Sequence, residues 1–541
     1  MAVLLVLNGK LALKCDYEER YRAKSVAGAR WNPEMKVWEY PLNEAIVTQI
    51  TQIFPHAKVS GEIRARLDRK VARRQEMLEA KEVLWQTDAP LRDYQKAGVN
   101  FLVTAKRAIL GDDMGLGKTL QAIMACEAEQ FHRALIICPN TLKWVWHDEI
   151  RKWTGKNATV IGGGRKHREQ GLKAYKGGYL IINYESARLH PEIQEREWDV
   201  MICDEAHRLK NRKALQTQFV RRIKTNHAYM VTGTPMMNRT EELWSLLNIL
   251  YPKTFTSFWR FVDMYCQKNT TYYGTEILPG TDEQTKDLRE ILQPIMIRRR
   301  KDEVLTELPA KVYQRLPVEL EGRQKAMYQQ MERDAIAVLS EGAIAAPVVI
   351  AQITRLRQIA VGAQLLDPEI DSSAKFRALD EILDTHLETH KVVVFSQFRQ
   401  AIELLEERYA ALGPVSVTGT VSQEDRTTAT RRFQTDDTCR IMLSTIQAGG
   451  LGLTWTAADI VVFLDRHWTP AMNTQAEDRL HRLGQRNSVT VINLVAKDTV
   501  EEWIETLLEE KQINFNKVIE TWRKAKNSYT GDAKGRMEVS D

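Results

Sequence analysis

Short apolar segments alternate with amphipathic segments along most of the chain from Leu91 onward. Short apolar runs are typical of buried strands, and amphipathic runs with a 3.6-residue period are typical of helices. The alternation falls into two blocks, and repeated strand–helix–strand units predict right-handed crossovers in a parallel sheet. We therefore predict an α/β fold with two doubly wound parallel-sheet lobes. The predicted strands are residues 108–110, 134–138, 179–183, 200–203 and 229–232 in the first block, and residues 392–395, 415–418, 441–444, 460–464 and 491–495 in the second.

The segments around the two blocks have different patterns. The first lobe, residues 89–250, is followed by residues 251–373, which lack the alternation and are predicted to be mainly helical insertions. A looser stretch interrupts these insertions at residues 270–281. The second lobe, residues 374–498, is followed by residues 499–541, predicted to be a Glu/Lys-rich helix that ends in a polar, frayed tail.

The N-terminal residues 1–60 predict a separate small α/β module. Two apolar runs flank Asn8-Gly9, a dipeptide that favours a β-hairpin with a type I′ turn, and a further strand and a closing helix follow. Trp31 and Trp38 are expected to pack in the small core of this module. In the functional alternative, the module grips DNA through Arg30 and Lys36, which lie beside the two tryptophans in the sequence.

Composition limits the function classes without choosing one. The chain has 541 residues, 43% hydrophobic and 27% charged, which suits three or four globular domains. A net charge of +6 is too small to prove a nucleic-acid partner, because a surface can be basic only locally. Residues 61–88 include a basic run that predicts a solvated helical linker, and phosphate contact is the alternative for this run.

Cysteine spacing and the N-terminal pattern indicate a cytoplasmic location. The six cysteines have no C-x-x-C spacing, so we predict no zinc site and a reducing compartment. The apolar start lacks a basic leader, which argues against a signal peptide. No stretch is long enough to predict a membrane span, so we expect no membrane partner.

Residues 111–119, Gly-Asp-Asp-Met-Gly-Leu-Gly-Lys-Thr, predict a phosphate loop between a strand and a helix. Backbone N–H groups and the helix N-terminus would face a polyphosphate, and we predict ATP and Mg²⁺ as ligands. Lys118 would reach the β- and γ-phosphates, and the Thr119 hydroxyl would ligate Mg²⁺. Because Asp112 stands where the strict pattern has glycine, the turn must be made by Gly115 and Gly117. The alternative is an ordinary glycine-rich turn.

A predicted strand ends in Asp204-Glu205-Ala206-His207, which supplies carboxylates beside the phosphate loop. Asp204 would hold Mg²⁺, and Glu205 would orient and deprotonate the attacking water. His207 would couple this site to the next strand end, whose residues are Thr232, Gly233 and Thr234. The alternative is an acidic strand end that caps a helix.

Arg479 and Arg482 lie three residues apart, a spacing that puts both on one face of a helix. Arginine suits a developing phosphoryl charge because its charge is permanent and its planar fork binds oxygens bidentately. We predict that both act as arginine fingers on the nucleotide. The alternative is a role in surface salt bridges.

Taken together, these segments resemble a superfamily 2 helicase, and their details resemble its Swi/Snf branch. The resemblance covers about residues 89–510 and implies two RecA-like lobes that form an ATP-driven motor on double-stranded DNA. It implies that Gln95 reads adenine, and that Arg92, Asp113 and Gln475 belong to the nucleotide site. The motifs that carry it are residues 91–95, 112–119, 204–207, 232–235, 298–302 with 308–309, 356–358, 395–398, 447–453 and 475–485.

The resemblance also implies DNA contacts, on a face that includes both lobes. Such contacts to the DNA backbone give affinity without reading sequence. The sequence departs from the family at Leu453-Thr454-Trp455, where relatives usually carry Asn. The N-terminal module resembles the HepA-related (HARP) domain of annealing helicases, through the pattern in residues 28–42. The implied contact residues are Asn140, Lys143, Trp144, Ser396, Gln397, Ser444, Gly449, Gly450 and Trp468.

The sequence therefore predicts a DNA-stimulated ATPase that translocates on double-stranded or forked DNA, as a monomeric motor. Several alternatives remain open: a remodeller that strips a protein such as RNA polymerase, a strand-separating helicase, or a clamp with a dead ATPase site. Reannealing or fork remodelling would follow from the HARP-like module. The chain is compact for this family and shows no histone-tail reader, which favours a bacterial or phage origin.

Overall fold

The computed structural model describes residues 2–26, 28–42, 44–65, 87, 89–233, 240–271, 274–305, 307–340, 346–449, 453–482 and 484–509. The chain divides into two compact units, Met1–Thr306 and Glu307–Asp541. Among the residues just given, no helix has the length and apolarity needed to cross a bilayer. The predicted linker and C-terminal tail lie largely outside the described residues.

The N-terminal module is a five-stranded sheet in the order β3-β4-β2-β1-β5. Asn8 and Gly9 both have positive φ angles, 48° and 73°, as the type I′ turn between β1 and β2 requires. The prediction for the tryptophans was wrong in one respect. Trp31 packs on Trp38 with ring centroids 5.4 Å apart but is 50% exposed, so it covers the sheet rather than filling the core. The elements are β1 Val3–Leu7, β2 Lys10–Lys14, α1 Arg20–Ser25, β3 Arg30–Asn32, β4 Val37–Tyr40, α2 Glu44–Ile53 and β5 Lys58–Val59.

A seven-stranded, all-parallel sheet forms the centre of the first unit, in the order β14-β6-β11-β10-β7-β9-β8. Helices cover both faces. The strands are β6 Arg107–Leu110, β7 Arg133–Cys138, β8 Ala158–Val160, β9 Gly178–Asn183, β10 Trp198–Asp204, β11 Thr225–Val231 and β14 Met296–Ile297. The helices are α3 Asp93–Ala105, α4 Lys118–Ala128, α5 Lys143–Thr154, α6 Arg165–Ala174, α7 Tyr184–Ala187, α8 Glu192–Glu195, α9 Leu215–Arg221, α10 Leu243–Leu250, α11 Phe258–Tyr265, α12 Asp282–Leu292 and α13 Lys301–Val304.

The second unit contains a six-stranded parallel sheet in the order β15-β20-β19-β16-β18-β17. The strands are β15 Lys311–Val318, β16 Val392–Ser396, β17 Val415–Val417, β18 Ile441–Thr445, β19 Ile460–Phe463 and β20 Val489–Ala496. The helices are α14 Gly322–Ser340, α15 Ala346–Val361, α16 Ala374–His386, α17 Arg399–Arg408, α18 Gln423–Thr435, α19 Ile446–Gly449, α20 Pro470–Glu477 and α21 Val500–Glu509. The predicted α/β class with two parallel-sheet lobes is thus confirmed.

All ten predicted strands are present. Nine of them are apolar runs buried on both faces, whereas β17 is an edge strand whose middle residue, Ser416, is half-buried. In β10, Val200 and Ile202 face one core layer, whereas Met201 and Cys203 face the other. The same two-layer arrangement surrounds the sheet of the second unit. Five of the six free cysteines are buried and Cys15 is half-buried.

The segment between the lobes is less helical than predicted. The looser stretch is an antiparallel hairpin of β12 (Cys266–Thr271) and β13 (Gly274–Pro279). Two further strands extend the main sheets: β14 pairs with β6, and β15 pairs with β20 along its full length. β14 has only two residues, and β15 is an exposed edge strand without an apolar run, so neither gave a visible pattern.

Candidate nucleotide site and nucleic-acid face

The phosphate loop connects β6 to α4 at the carboxyl end of the first sheet. Gly115 and Gly117 have positive φ angles of 82° and 72°, so the loop turns at the two glycines indicated by the sequence. Gly117 has a second constraint, since a Cβ there would lie 2.5 Å from Nε2 of Gln95. Gly117 is also the N-cap of α4. The first N–H groups of this helix have no partners within it and face the loop, as an anion site requires.

Lys118 is held at the loop by main-chain oxygens. Its Nζ donates to the carbonyls of Asp112, at 2.8 Å, and Asp113, at 3.1 Å. Burial lowers the pKa of Lys118, and the carboxylates of Glu205, Asp112, Asp204 and Asp113 act in the opposite direction. An ammonium group in this position suits binding of β- and γ-phosphate oxygens.

Asp112, which replaces the glycine of the strict pattern, is fully buried. Arg299 donates to its carboxylate in a bidentate pair, with Nη2–Oδ2 at 2.5 Å and Nε–Oδ1 at 3.0 Å. Gln121 Nε2 donates to the same carboxylate at 3.2 Å. Gly98 packs against this cluster, since a Cβ there would lie 1.9 Å from Oε1 of Gln121. The side chain at 112 therefore anchors the loop rather than turning it.

The first half of the loop also continues the β6–β14 ladder. The N–H groups of Gly111 and Asp113 donate to the carbonyls of Ile297 and Arg299, at 2.8 and 3.0 Å. The N–H of Lys301 donates in turn to the Asp113 carboxylate at 3.1 Å. The sequence analysis did not predict this second strand beside the loop, although residues 298–302 belong to a motif that it singled out.

The predicted acidic group lies where β10 ends. Glu205 has φ 49° and ψ 48°, a left-handed conformation that is uncommon for a residue with a side chain and recurs at functional sites. His207 Nδ1 lies 3.2 Å from Oε2 of Glu205 and 3.2 Å from Oγ1 of Thr232. His207 thus links Glu205 to the end of β11. Gly233 follows Thr232 and lies against Lys118, since a Cβ there would be 3.5 Å from Nζ.

Two aromatic side chains that the sequence analysis missed hold Asp204. Trp146 Nε1 donates to Oδ2 of Asp204 at 2.8 Å, and the Tyr184 hydroxyl donates to the Asp204 carbonyl at 2.7 Å. The Glu205 N–H donates to Oδ1 at 2.9 Å. Burial, followed by the Glu205 charge, raises the pKa of Asp204 to about 6, and the Trp146 hydrogen bond acts in the opposite direction.

Two residues predicted for the nucleotide site, Arg92 and Gln95, lie at the start of α3. Arg92 is the N-cap of α3, and its N–H donates to Oε1 of Gln95 at 3.0 Å. Gln95 Nε2 donates to the carbonyl of Leu116 at 3.2 Å. The Gln95 side chain therefore bridges the start of α3 and the phosphate loop, which fixes its orientation.

The donor set at this edge fits Mg²⁺. Magnesium takes oxygen ligands, and the hydroxyl of Thr119 and the carboxylate of Asp204 both supply them. The two acidic side chains of Asp204 and Glu205 are 8% and 14% exposed, respectively, so a dication would offset their mutual repulsion. Thr119 and Asp204 would hold the ion, which would neutralise charge on the phosphates.

In the second unit, the predicted fingers do not lie on a helix. α20 ends at Glu477, and Arg479 and Arg482 occupy the turns that follow it, so the prediction of a shared helix face was wrong. Arg479 Nη1 donates to the carbonyl of Leu453 at 3.1 Å, and Arg482 Nη1 donates to Oγ1 of Thr454 at 2.8 Å. Both guanidinium groups are thus oriented by the segment that departs from the family pattern.

Gln475 lies inside α20 and is 5% exposed. Its Nε2 is buried and has no hydrogen-bond partner among the described residues. A buried amide donor of this kind carries a desolvation penalty of about 1–3 kcal/mol unless a ligand or water satisfies it. This makes Gln475 a candidate for ligand contact.

The DNA-contact candidates of the first unit differ in exposure. Asn140 is exposed and Trp144 is 49% exposed. Lys143 is buried, its Nζ donates to the carbonyl of Ile161 at 3.1 Å, and burial lowers its pKa. Asn140 and Trp144 therefore present their side chains to solvent, whereas the ammonium group of Lys143 is engaged inside the unit.

In the second unit, Ser396 and Ser444 are fully buried. Ser396 Oγ donates to Asp465, which follows β19, at 2.6 Å, and Ser444 Oγ donates to the carbonyl of Val417 in β17 at 2.9 Å, so both hydroxyls are engaged inside the unit. Gln397 and Trp468 are half-buried. Gly449 ends α19, while Gly450 and the predicted coupling residue Thr234 lie outside the described residues.

Comparisons with known proteins decide the family. A family model described as "SNF2-related domain" matches residues 94–365, and one described as "Helicase conserved C-terminal domain" matches residues 374–484. The protein belongs to the SNF2-related family. It is an ATPase of that family, and the resemblance to the Swi/Snf branch is confirmed. The HARP-like resemblance of the N-terminal module stays a prediction.

Relatives of this SNF2-related protein include both chromatin and annealing enzymes. The ISWI chromatin-remodeling complex ATPase ISW1 of Saccharomyces cerevisiae is 32% identical over 448 residues, covering 76% of this chain and 39% of the relative. The DNA annealing helicase and endonuclease ZRANB3 of Homo sapiens is 31% identical over 438 residues, covering 78% of this chain and 40% of the relative. The chain thus spans about two fifths of these relatives.

A solved structure is also similar. The SWI2/SNF2 ATPase core of Sulfolobus solfataricus in complex with dsDNA is 26% identical, with a TM-score of 0.41. The match covers 80% of this chain and 93% of that chain.

Proposed function

We propose that this SNF2-related ATPase is a translocase on double-stranded DNA that remodels DNA or protein–DNA complexes. The observation that carries the proposal is the convergence of Lys118, Asp204, Glu205 and His207 at the carboxyl edge of one sheet in a protein of this family. Exposed Asn140 and Trp144 begin the α5 segment beside that edge and suit contact with a DNA backbone.

Each residue has a role in the proposed ATP hydrolysis. Lys118 binds the β- and γ-phosphates, and Gln95 orients the adenine side of the site. Glu205 takes the proton of the attacking water, while its link to His207 holds it in position. Arg479 and Arg482 stabilise charge that develops on the transferred phosphoryl group.

The ATPase part of the proposal is tested by two substitutions. Lys118→Ala and Glu205→Gln should each lower DNA-stimulated ATP hydrolysis by about 100-fold or more, because each removes a group that acts on the reacting phosphate. DNA binding, measured by fluorescence anisotropy, should change little. Lys176→Ala and Glu195→Gln are matched controls, since both residues are exposed on the same unit. Hydrolysis at the parental rate by Glu205→Gln would remove Glu205 as the base.

The nucleic-acid part is tested by the choice of activator. ATP hydrolysis should be measured without nucleic acid and with single-stranded DNA, duplex DNA, forked DNA and RNA, at one salt concentration. Stimulation by duplex DNA well above RNA supports a DNA translocase. Equal rates with every nucleic acid would instead favour a motor that is triggered by a protein partner.

A preference for forked DNA is the second candidate, and one observation in the N-terminal module favours it. Trp31 is 50% exposed, packs on Trp38 and lies next to exposed Arg30 in β3. An exposed aromatic beside arginine suits stacking on unpaired bases, worth about 1–3 kcal/mol per base. Trp31→Ala should therefore lower fork stimulation and leave duplex stimulation unchanged. An unchanged fork-to-duplex ratio would remove this role.

A further inference from the structure

The side chain of Trp146 connects two parts of the first unit that the proposed function uses. Trp146 is 1% exposed, and its Nε1 lies 2.8 Å from Oδ2 of Asp204. It belongs to α5, whereas Asp204 ends β10, so the hydrogen bond joins elements 58 residues apart in sequence. An indole N–H is only a donor, and Asp204 supplies the charged acceptor, which makes this a strong type of hydrogen bond.

The same helix begins at the surface assigned to DNA. Asn140 precedes α5 and Trp144 is its second residue, and both are exposed. Trp144 and Trp146 are two residues apart and therefore point in different directions on the helix. One tryptophan of this helix thus faces solvent, while the other reaches the carboxylate at the nucleotide site.

Three oxygen atoms of Asp204 accept hydrogen bonds, each from a different donor. Oδ1 accepts from the Glu205 N–H at 2.9 Å, and Oδ2 accepts from Trp146. Tyr184 donates to the main-chain carbonyl of Asp204, at 2.7 Å. Tyr184 therefore fixes the end of the strand, whereas Trp146 and the Glu205 N–H together fix the rotation of the carboxylate. Of these contacts, the one from Trp146 comes from the helix that carries Trp144.

We propose that Trp146 is a positioning residue that couples DNA contact at the start of α5 to the orientation of the Asp204 carboxylate. This inference rests on the proposed function, because it takes Asp204 as a magnesium ligand and α5 as a DNA-contact element. A helix moves as a stiff body, and hydrogen bonds weaken steeply with misalignment, so a small displacement of α5 changes how the carboxylate is held. Such coupling is reciprocal: DNA would favour nucleotide binding, and nucleotide would favour DNA binding.

The test removes the indole N–H and keeps an aromatic, apolar side chain at position 146. The variant is Trp146→Phe, and the matched control is Trp153→Phe, because Trp153 lies on the same helix and also donates to a carboxylate, that of Glu149, at 2.6 Å. A second control, Tyr184→Phe, removes a hydrogen bond to Asp204 that does not involve its carboxylate. All variants are made in the full-length chain.

The first measurement needs neither DNA nor hydrolysis. Binding of a fluorescent, non-hydrolysable ATP analogue is followed as Mg²⁺ is added. Trp146→Phe should need roughly tenfold more Mg²⁺ for half-maximal binding, the size expected when a residue that orients a metal ligand is lost. Trp153→Phe and Tyr184→Phe should stay within about threefold of the unaltered protein.

The second measurement reads the coupling itself. The affinity for duplex DNA is measured with and without the Mg²⁺-bound analogue, and the ratio of the two is the coupling factor. Trp146→Phe should lower the coupling factor toward one, by at least about threefold. Trp153→Phe should leave the coupling factor unchanged. If Trp146→Phe does not fold, site-specific benzothienylalanine at position 146 replaces the N–H with sulfur at nearly the same volume.

Three results would overturn the proposal. In the first, Trp146→Phe and Trp153→Phe have the same Mg²⁺ requirement and the same coupling factor. In the second, Tyr184→Phe changes these two quantities as much as Trp146→Phe does. In the third, the coupling factor of the unaltered protein is one. Failure of the proposed function gives a different pattern. In that case duplex DNA does not stimulate hydrolysis in any variant, whereas the Mg²⁺ requirement of analogue binding still responds to the Trp146 change.

Discussion

Replacing Arg299 by methionine removes the counter-charge of a carboxylate that lies fully buried under the phosphate loop. Asp112 is 0% exposed and the Arg299 side chain is 14% exposed. Two guanidinium nitrogens donate to the two Asp112 oxygens, and a third donates to the carbonyl of Tyr94. Methionine keeps most of the side-chain volume and none of these hydrogen bonds. Asp112 would then retain Gln121 as its remaining side-chain partner in this cluster.

The magnitude follows from that burial. Breaking a buried ion pair by removing one partner costs about 3–5 kcal/mol, because the other charge is left uncompensated. Because Arg299 is slightly exposed, we expect Arg299→Met to lower the free energy of unfolding by about 3 kcal/mol, the lower end of this range. Removing both charges, with Asp112→Asn added, should cost only about 1–2 kcal/mol, because no isolated charge remains. The double variant should therefore be more stable than the single variant Arg299→Met.

Thermal and urea unfolding of the full-length chain measure this difference. The chain has two units, so the transition to be compared is the one that ATP shifts upward, since ligand binding stabilises the unit that holds the site. A loss near 3 kcal/mol corresponds to a shift of roughly 5 °C for the first unit, from an unfolding entropy of about 2.1 cal/mol/K per residue. Arg298→Met is the matched control, because Arg298 is the exposed neighbour in sequence. It should shift the transition by less than about 2 °C.

Two outcomes would refute this reasoning. If Arg299→Met lowers stability by no more than Arg298→Met, the Asp112 carboxylate is not a buried charge that depends on its partner. If the loss of stability in the double variant equals the sum of the losses in Arg299→Met alone and Asp112→Asn alone, the two residues do not interact. Interacting neighbours should instead show a coupling energy of about 1–3 kcal/mol.

Three further predictions concern the loop, pH and the second unit. Gly117→Ala should weaken ATP affinity in titrations by about tenfold or more, because the new Cβ would lie 2.5 Å from the side chain of Gln95. Gly155→Ala is the control and should leave ATP affinity unchanged, because nothing lies within 4 Å of its new Cβ. Burial and the neighbouring carboxylate raise the pKa of Asp204 to about 6, so the unliganded fold binds this proton more tightly than the unfolded chain does. The contribution of Asp204 to stability should therefore be lost as pH rises from about 4 through 6, and it is measured in urea as the difference between the unaltered protein and Asp204→Asn at each pH. Lys375→Met leaves the buried carboxylate of Glu501 without its counter-charge and should cost about 3–5 kcal/mol of stability, whereas Lys497→Met, at an exposed pair, should leave stability almost unchanged in the same assay.

The predicted elements were those whose sequence signal is local. Each central strand is an apolar run, and the glycines at 115 and 117 determine where the phosphate loop turns. β15 had no such signal, because most of its side chains are exposed at the edge of the sheet and pairing with β20 defines it. The placement of Arg479 and Arg482 on a helix failed for a related reason. Their spacing is compatible with a helix, but main-chain contacts to the 453–455 segment stabilise turns instead.

The contacts that determine the site were not visible in the sequence because they join distant segments. Arg299 and Asp112 are 187 residues apart, and Trp146 and Asp204 are 58 residues apart. Sequence motifs identify the residues that act on a nucleotide. The buried side chains that hold those residues in position lie elsewhere in the sequence and have no motif of their own. The departure at Asp112 therefore looked like a weakened motif, although the structure gives its carboxylate a bidentate partner.

These contacts indicate that the phosphate loop does not act as an independent element of the first unit. On one side, Gly111 and Asp113 are hydrogen-bonded to the strand that ends shortly before the unit boundary at Thr306. On the other side, Asp204 is held by Trp146 on α5. The phosphate loop at Lys118 is therefore fixed to the chain segment that precedes the unit boundary. The neighbouring strand end, at Asp204, is fixed to the helix that carries exposed Trp144. If the proposed function holds, the second of these connections is the route by which DNA contact at Trp144 would reach the nucleotide site.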